Sequence, residues 1–146
     1  MKNKKVLLIE DNADDIALTQ RAFKKNNFDC QLQVFNNGFR ALDFLLAKNE
    51  FKLRLAQELP DLILLDLKMP HIGGLSILEE IRANARTQYI PVVILTTSQE
   101  ENDILNSYRL GANSYIRKPV DFNVFQVMVK NVGKYWLELN EPVESH

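Results

Sequence analysis

Four places along the chain join a charged or hydroxyl side chain to the end of an apolar run. Leu62-Ile63-Leu64-Leu65 ends in Asp66, and Val6-Leu7-Leu8-Ile9 ends in Glu10-Asp11. Val92-Val93-Ile94-Leu95 ends in Thr96, and Ser114-Tyr115-Ile116-Arg117 ends in Lys118-Pro119. If the fold brings these ends together, three carboxylates meet, and like charges cannot all stay ionised there without a cation. A hard divalent ion resolves this. Mg²⁺ fits because it takes few carboxylates, keeps several waters and favours phosphate oxygens. Lys118 adds a compact positive charge for a phosphoryl oxygen, and Thr96 adds a hydroxyl. An Asp nucleophile in such company suits phosphoryl transfer, with an aspartyl phosphate as product.

The elements that must position these residues are legible from pattern. Short continuous apolar runs bounded by turn residues read as strands buried on both faces, as in a parallel sheet. Four of them are the runs above, and Gln31 to Phe35 alternates weakly as another. Leu18, Ala22 and Phe23 mark a helix from residue 12 to about 27, with Asp14 and Asp15 in the first turn where the helix dipole favours them. Ala41, Leu42, Leu45 and Leu46 mark a second helix after the turn Asn36-Asn37-Gly38. Lys48 to Glu58 is charged and only loosely periodic. A third helix begins near Gly74 with Leu75, Leu78 and Ile81 or Arg82. Ser98-Gln99-Glu100-Glu101 has the form of a capping box, predicting a fourth helix with Ile104, Leu105 and Tyr108 on its apolar side and Gly111 at its end. Asp121 caps a last helix running to about Trp136.

Five strands alternating with five helices predict one domain, a three-layer α/β sandwich around a doubly wound parallel sheet. Its core spans about residues 4 to 136, with a short polar tail. Right-handed crossovers place the loops after the first, third, fourth and fifth strands at one sheet edge, where such sheets bind ligands. Each residue also has a plainer reading. Asp66 alone is a turn residue, Glu10-Asp11 a helix start, Thr96 a strand end, Lys118 a turn lysine and Tyr115 an aromatic on an edge strand.

Composition narrows the classes. The chain has 146 residues, 46% apolar and 25% charged, as in soluble globular proteins. A net charge of −1 and a pI near 6.1 give no reason to expect nucleic acid or an anionic membrane as partner. No apolar run approaches the roughly 18 residues that span a bilayer, and the start of the chain lacks a signal-peptide pattern. Cys30 is the single cysteine, so no intrachain disulfide is expected and a cytoplasmic location is. His71 and His146 lack partners at ligand spacing, so neither reads as a metal ligand.

Glu10-Asp11, Asp66-Leu67-Lys68-Met69-Pro70, Thr96, Tyr115 and Lys118-Pro119, each at the right strand end, resemble a response-regulator receiver domain of two-component signalling over nearly the whole chain. The resemblance implies the flavodoxin-like strand order 2-1-3-4-5 and phosphorylation of Asp66 by a sensor histidine kinase. It implies Mg²⁺ held by Asp11, Asp66 and the backbone carbonyl of Lys68, with Glu10 acting through water. Thr96 and Tyr115 become a coupled switch, and the Lys118-Pro119 bond is expected to be cis. Lys68 and Ser98 flank the path of an attacking water and are candidates for tuning the phosphate's lifetime. Lys48 to Pro60, Gly111 to Ile116 and Tyr135 to Asn140 are similar to single-domain regulators paired with cyanobacterial and bacterial phytochromes.

An Asp-nucleophile phosphatase of the haloacid-dehalogenase type is the nearest enzyme, but it needs a second Asp where Lys68 stands. A receiver-like module that is never phosphorylated is disfavoured by the intact acidic pair, Asp66 and Lys118. The expected role is therefore signalling, with self-catalysed phosphorylation and slow autodephosphorylation, and no DNA-binding output domain. On the last helix Phe125, Met128, Val129, Val132 and Trp136 form one apolar side, which Val120, Val124, Val127 and Tyr135 widen. This is more than one core-facing stripe needs, and predicts a homodimer through the fourth helix, fifth strand and fifth helix.

Overall fold

The computed structural model describes residues 3–143; His146 lies outside the described residues. The strands are β1 (Lys4–Ile9), β2 (Cys30–Phe35), β3 (Leu62–Leu65), β4 (Val92–Thr96) and β5 (Ser114–Arg117). The helices are α1 (Ala13–Lys25), α2 (Gly38–Leu46), α3 (Gly74–Ala83), α4 (Glu101–Arg109) and α5 (Phe122–Gly133). All strand pairs are parallel, in the order β2-β1-β3-β4-β5. The expected flavodoxin-like sandwich is therefore the observed one.

The unbroken apolar runs follow from this layering, because alternate residues of each central strand feed opposite faces. Leu7, Ile9, Ile63, Leu65 and Ile94 pack with Leu42, Leu45, Ile77 and Ile81 of α2 and α3. Val6, Leu8, Leu62, Leu64, Val93 and Leu95 pack with Phe23 of α1 and Phe125, Val129 and Val132 of α5. Shifting any central strand by one residue would still bury it, so register is set by neighbouring ladders and by the strand ends. Ile9 lies opposite Leu65, Leu65 opposite Ile94, and Thr96 opposite Arg117. The next residue of each of three strands, Glu10, Asp66 and Lys118, therefore emerges at one edge.

Three helices have side-chain N-caps, of which that by Asp121 is the expected one. Asn12 accepts from the Asp15 amide, Asn37 from Phe39 and Arg40, and Asp121 from Asn123 and Val124. The capping box at Ser98 does not form. α4 begins at Glu101, with Glu100 rather than Ser98 at the N-cap and no side-chain cap; the Ser98 hydroxyl, two residues earlier, accepts from the Glu100 amide at 3.3 Å and donates to Asp103 Oδ2 at 2.6 Å. Nor does the supposed apolar side of α4 face the core. Leu105 and Tyr108 are about half exposed, and Ser107 is the helix's one buried residue. The Lys118-Pro119 bond is trans, since no cis peptide occurs among the described residues; trans is the ordinary preference of an X-Pro bond.

The segment after α2 holds two short 3₁₀ turns, Asn49–Phe51 and Ala56–Glu58. Phe51 packs edge-on against Phe35 and Phe44. Arg54 donates to the Phe44, Leu45 and Leu55 carbonyls, satisfying the end of α2. Arg82 is not an apolar position of α3. Its guanidinium donates to the Gly111, Gln88 and Ile90 carbonyls and to Asn113 Oδ1, tying the loop that leads into β4 to the loop that leads into β5. Past Gly133 the last helix widens into a π-helical segment, Lys134–Leu139, closed by the Asn140 amide on the Tyr135 carbonyl. The widening buries Leu137 and leaves Tyr135 half exposed.

Gly74 opens α3 directly beneath the loop after β3. A Cβ there would collide with the Asp66 carbonyl oxygen and lie 2.8 Å from Leu67 Cα, both backbone atoms. Gly74→Ala should cost about 1–3 kcal/mol in urea denaturation. Gly73→Ala, whose Cβ would meet only the Leu67 carbonyl at 3.7 Å, should change stability less. Equal stability of the two variants would contradict this packing.

Candidate functional site

The carboxyl edge of the sheet gathers side chains from β1, β3, β4, β5 and the start of α1. Glu10 and Asp66 follow strand residues that are buried, Thr96 ends the buried strand β4, and Lys118 follows the mostly half-buried β5, so the strand ladders hold these backbones. The Asp66 amide is bonded to the Ile9 carbonyl, Glu10 to Phe35, and Lys118 to Thr96. Among the described residues Glu10, Asp11 and Asp66 can each offer a carboxylate oxygen, all within 4.8 Å of one another. Hard oxygen donors at such separations suit a divalent cation. The expected acidic cluster is thus present, and the residues fit the ion.

Lys118 is the countercharge. Its ammonium is buried, donates to Glu10 Oε1, donates to Asp15 Oδ2 at 2.9 Å and lies 3.9 Å from Asp66 Oδ2. Burial alone would lower the Lys118 pKa. Its bonds to Asp15 and Glu10, with the charge of Asp66, outweigh this and hold it above the usual lysine value. Burial pushes the Glu10 carboxyl up to about 7; its hydrogen bond to Lys118 works against the rise, and the Asp66 charge adds to it. The Asn12 amide also donates to Glu10 Oε2 at 3.2 Å. Asp66 Oδ1 accepts from the Leu67 amide at 2.9 Å, which leaves Oδ2 as the oxygen facing Lys118.

Thr96 is fully buried at the end of β4, and its Oγ1 accepts a long bond of 3.4 Å from the Ser98 amide. Tyr115 on β5 is half-buried, and its hydroxyl donates to the Ser98 carbonyl at 2.9 Å. Both switch candidates therefore touch the loop between β4 and α4. Ser98 and Lys68 converge on Asp103, the latter through an ion pair of 3.2 Å. The Ser98 hydroxyl foremost, with Lys68 beside it, holds the Asp103 carboxyl below the usual range. The Asp103 partner in turn raises the exposed Lys68 ammonium.

All eight residues singled out in the sequence lie at or beside this edge. Two more belong there. Asp15 stands in the first turn of α1, three residues after the N-cap Asn12, where its sequence signal is only that of an acidic residue at a helix start. Asp103 carried no signal, since its role depends on where α4 begins. His71 is exposed in a left-handed turn with φ of 70°, away from any metal-ligand cluster among the described residues. Cys30 is half-buried in β2 with a free thiol.

Comparison with known proteins agrees with this arrangement. The profile of the response regulator receiver domain matches residues 6–130. Response regulator Rcp1 of Synechocystis is 37% identical over 135 residues, covering 92% of this chain and 90% of that one. The crystal structure of the phosphorylated cyanobacterial phytochrome response regulator RcpA superposes with a TM-score of 0.90 at 34% identity, over 98% of this chain and all of that one. The Mn²⁺-bound form of Rcp1 superposes with a TM-score of 0.87 at 35% identity, over 97% and 99%. From the matched profile and these relatives, the chain belongs to the response-regulator receiver domain family.

Proposed function

We propose that the chain is a response-regulator receiver domain that accepts a phosphoryl group on Asp66 from a sensor histidine kinase. One observation carries this: the unshared oxygen of Asp66 faces the Lys118 ammonium across 3.9 Å, beside the carboxylates of Glu10 and Asp11. Asp66 Oδ2 attacks phosphorus, the new O–P bond forms, and the N–P bond to the kinase imidazole breaks, its electron pair staying with nitrogen. Asp11, Asp66 and the Lys68 carbonyl would hold Mg²⁺, with Glu10 acting through water, and the ion would neutralise the phosphoryl charge. Lys118 donates to a phosphoryl oxygen. Thr96 turns its hydroxyl to another, which frees the Ser98 amide, and Tyr115 leaves the Ser98 carbonyl and moves inward. The phosphate thereby biases an existing two-state equilibrium of the loop and α4.

The surface that changes is α4, β5 and α5. Leu105 and Tyr108 on α4 and Val120, Val124 and Val127 at α5 are exposed there. This apolar area supports a homodimer through that face. The similarity to Rcp1 and RcpA supports a phytochrome-type photoreceptor kinase as the donor. A cytoplasmic location suits the free thiol of Cys30, and no helix among the described residues is long and apolar enough to cross a membrane.

Intact-mass analysis after incubation with acetyl phosphate and Mg²⁺ tests the central reading. The wild type should gain one phosphoryl group and Asp66→Asn none; no adduct on the wild type, or the same adduct on the variant, overturns it. Followed over time, the adduct should decay several-fold faster in Lys68→Ala and Ser98→Ala, because both shield the approach of water. Unchanged decay in both removes their tuning role.

Glu10 fixes the sign of a pH effect. Its carboxyl sits at about 7 in the fold against 4.5 ordinarily, so its charge is withheld over that window. The metal-free fold gains most from Glu10 below pH 4.5 and loses that contribution as pH rises through about 7. A cation needs the ionised form, so Mg²⁺ affinity measured by calorimetry should strengthen from pH 6 to 8, with proton release. Glu10→Gln should flatten this slope. The dimer is checked by sedimentation: Leu105→Glu with Val124→Glu should give a monomer where the wild type is dimeric, and an unaltered dimer would place the interface elsewhere.

A further inference from the structure

Lys118 has three N–H donors, and only two are committed, to Glu10 and to Asp15. The third has no carboxylate within bonding range, since Asp66 Oδ2 lies at 3.9 Å. Asp15 is the unexpected member. It belongs to α1, outside the cluster of Glu10, Asp11 and Asp66. Its backbone is fixed at both sides: the Asp15 amide donates to the Asn12 side chain at 3.0 Å, and the Thr19 hydroxyl donates to the Asp15 carbonyl at 2.8 Å. Thr19 is itself buried. Asp15 therefore offers Lys118 an acceptor whose place is set by the cap and first turns of α1.

We propose that Asp15 is a positioning residue for phosphoryl transfer: it draws the Lys118 ammonium off Asp66 and keeps one N–H free for the incoming phosphoryl group. This rests on Asp66 being the phosphoacceptor. Without Asp15, the nearest remaining anion for the released N–H is Asp66. In a buried site a lysine and a carboxylate one ångström from bonding distance close that gap. The nucleophile would then be held in a direct ion pair, and the space for phosphorus would be filled. With Asp15 in place a phosphoryl oxygen can reach the third N–H while Lys118 keeps its other two bonds. Donors already aimed at the developing charge need no reorganisation during reaction.

A plain charge effect predicts the opposite result. Asp15 adds a negative charge near an anionic donor, so its removal by itself would ease approach and speed the reaction. The two accounts therefore differ in sign. The experiment compares wild type, Asp15→Ala, Asp15→Asn, Lys118→Ala and the double variant Asp15→Ala with Lys118→Ala, with circular dichroism confirming the fold. Phosphorylation by acetyl phosphate and Mg²⁺ is followed by intact mass across donor concentrations. Asp15→Ala should lower the saturating rate at least several-fold with little change in the half-saturating donor concentration. Asp15→Asn, which can still accept from Lys118, should recover part of the rate. In the Lys118→Ala background, loss of Asp15 should have no further slowing effect. A crystal structure of Asp15→Ala supplies a readout independent of turnover: Lys118 Nζ should move to within hydrogen-bond distance of Asp66 Oδ2. An equal or faster rate in Asp15→Ala, or an unmoved ammonium, overturns the positioning role while leaving Asp66 as acceptor. A wild type that takes no phosphoryl group overturns both.

Discussion

One ammonium group holds the carboxyl edge together. Lys118 is buried among Glu10, Asp15 and Asp66, which come from the end of β1, the start of α1 and the end of β3. Removing one partner of a buried ion pair leaves an uncompensated charge, which is far more costly than losing an exposed pair. The sheet order exists to make this meeting possible. β1 and β3 are adjacent, β4 separates β3 from β5, and Lys118 reaches over the end of β4 to the acids. The requirement for cation and anions at the same edge thus constrains strand order, register and loop lengths together.

The acids and the lysine also make the site sensitive to added charge. Burial, with the Asp66 charge adding to it, raises the Glu10 carboxyl against the pull of its Lys118 hydrogen bond. Any event that adds or rearranges charge there is felt through hydrogen bonds that already run outward. From Thr96 the path crosses the Ser98 amide, then the Ser98 carbonyl to Tyr115 and the Ser98 hydroxyl to Asp103 and Lys68. Ser98 meets all of these with three different atoms, so it cannot shift without disturbing β5 and α4.

Much of this was legible before the structure. Runs such as Leu62 to Leu65 and Val92 to Leu95 have only one stable location, a strand covered on both faces, and their first polar residues then fall at the sheet's edge. That reasoning placed Glu10, Asp66, Thr96 and Lys118 together, and the fold agrees. What failed was local pattern that tertiary contacts outcompeted. Ser98 has the sequence of a capping residue, yet the helix starts two residues later than that pattern implies, with Glu100 at the N-cap, and the Ser98 hydroxyl serves the Asp103 carboxylate. Arg82 fell in an apolar register because its stem is half-buried, although four acceptors claim its head. Asp15 looked like a dipole complement because a place in the first helical turn does not show what lies opposite, a lysine 103 positions away in sequence. The stretch from Lys48 to Glu58 has no period because Phe51 and Arg54 tie it down singly.

α4 meets the rest of the molecule through a buried serine rather than a buried leucine. The Ser107 hydroxyl is satisfied within its own helix, by the Asp103 carbonyl. Lifting α4 therefore opens no large apolar void, whereas an emptied leucine site in α2 or α3 would cost about 2–5 kcal/mol. In the order of local opening this helix stands near the weak end, while the central strands stand at the strong end. The helix that carries exposed Leu105 and Tyr108 is thus also the one with the smallest apolar anchor, so a displacement of α4 would expose little of the core.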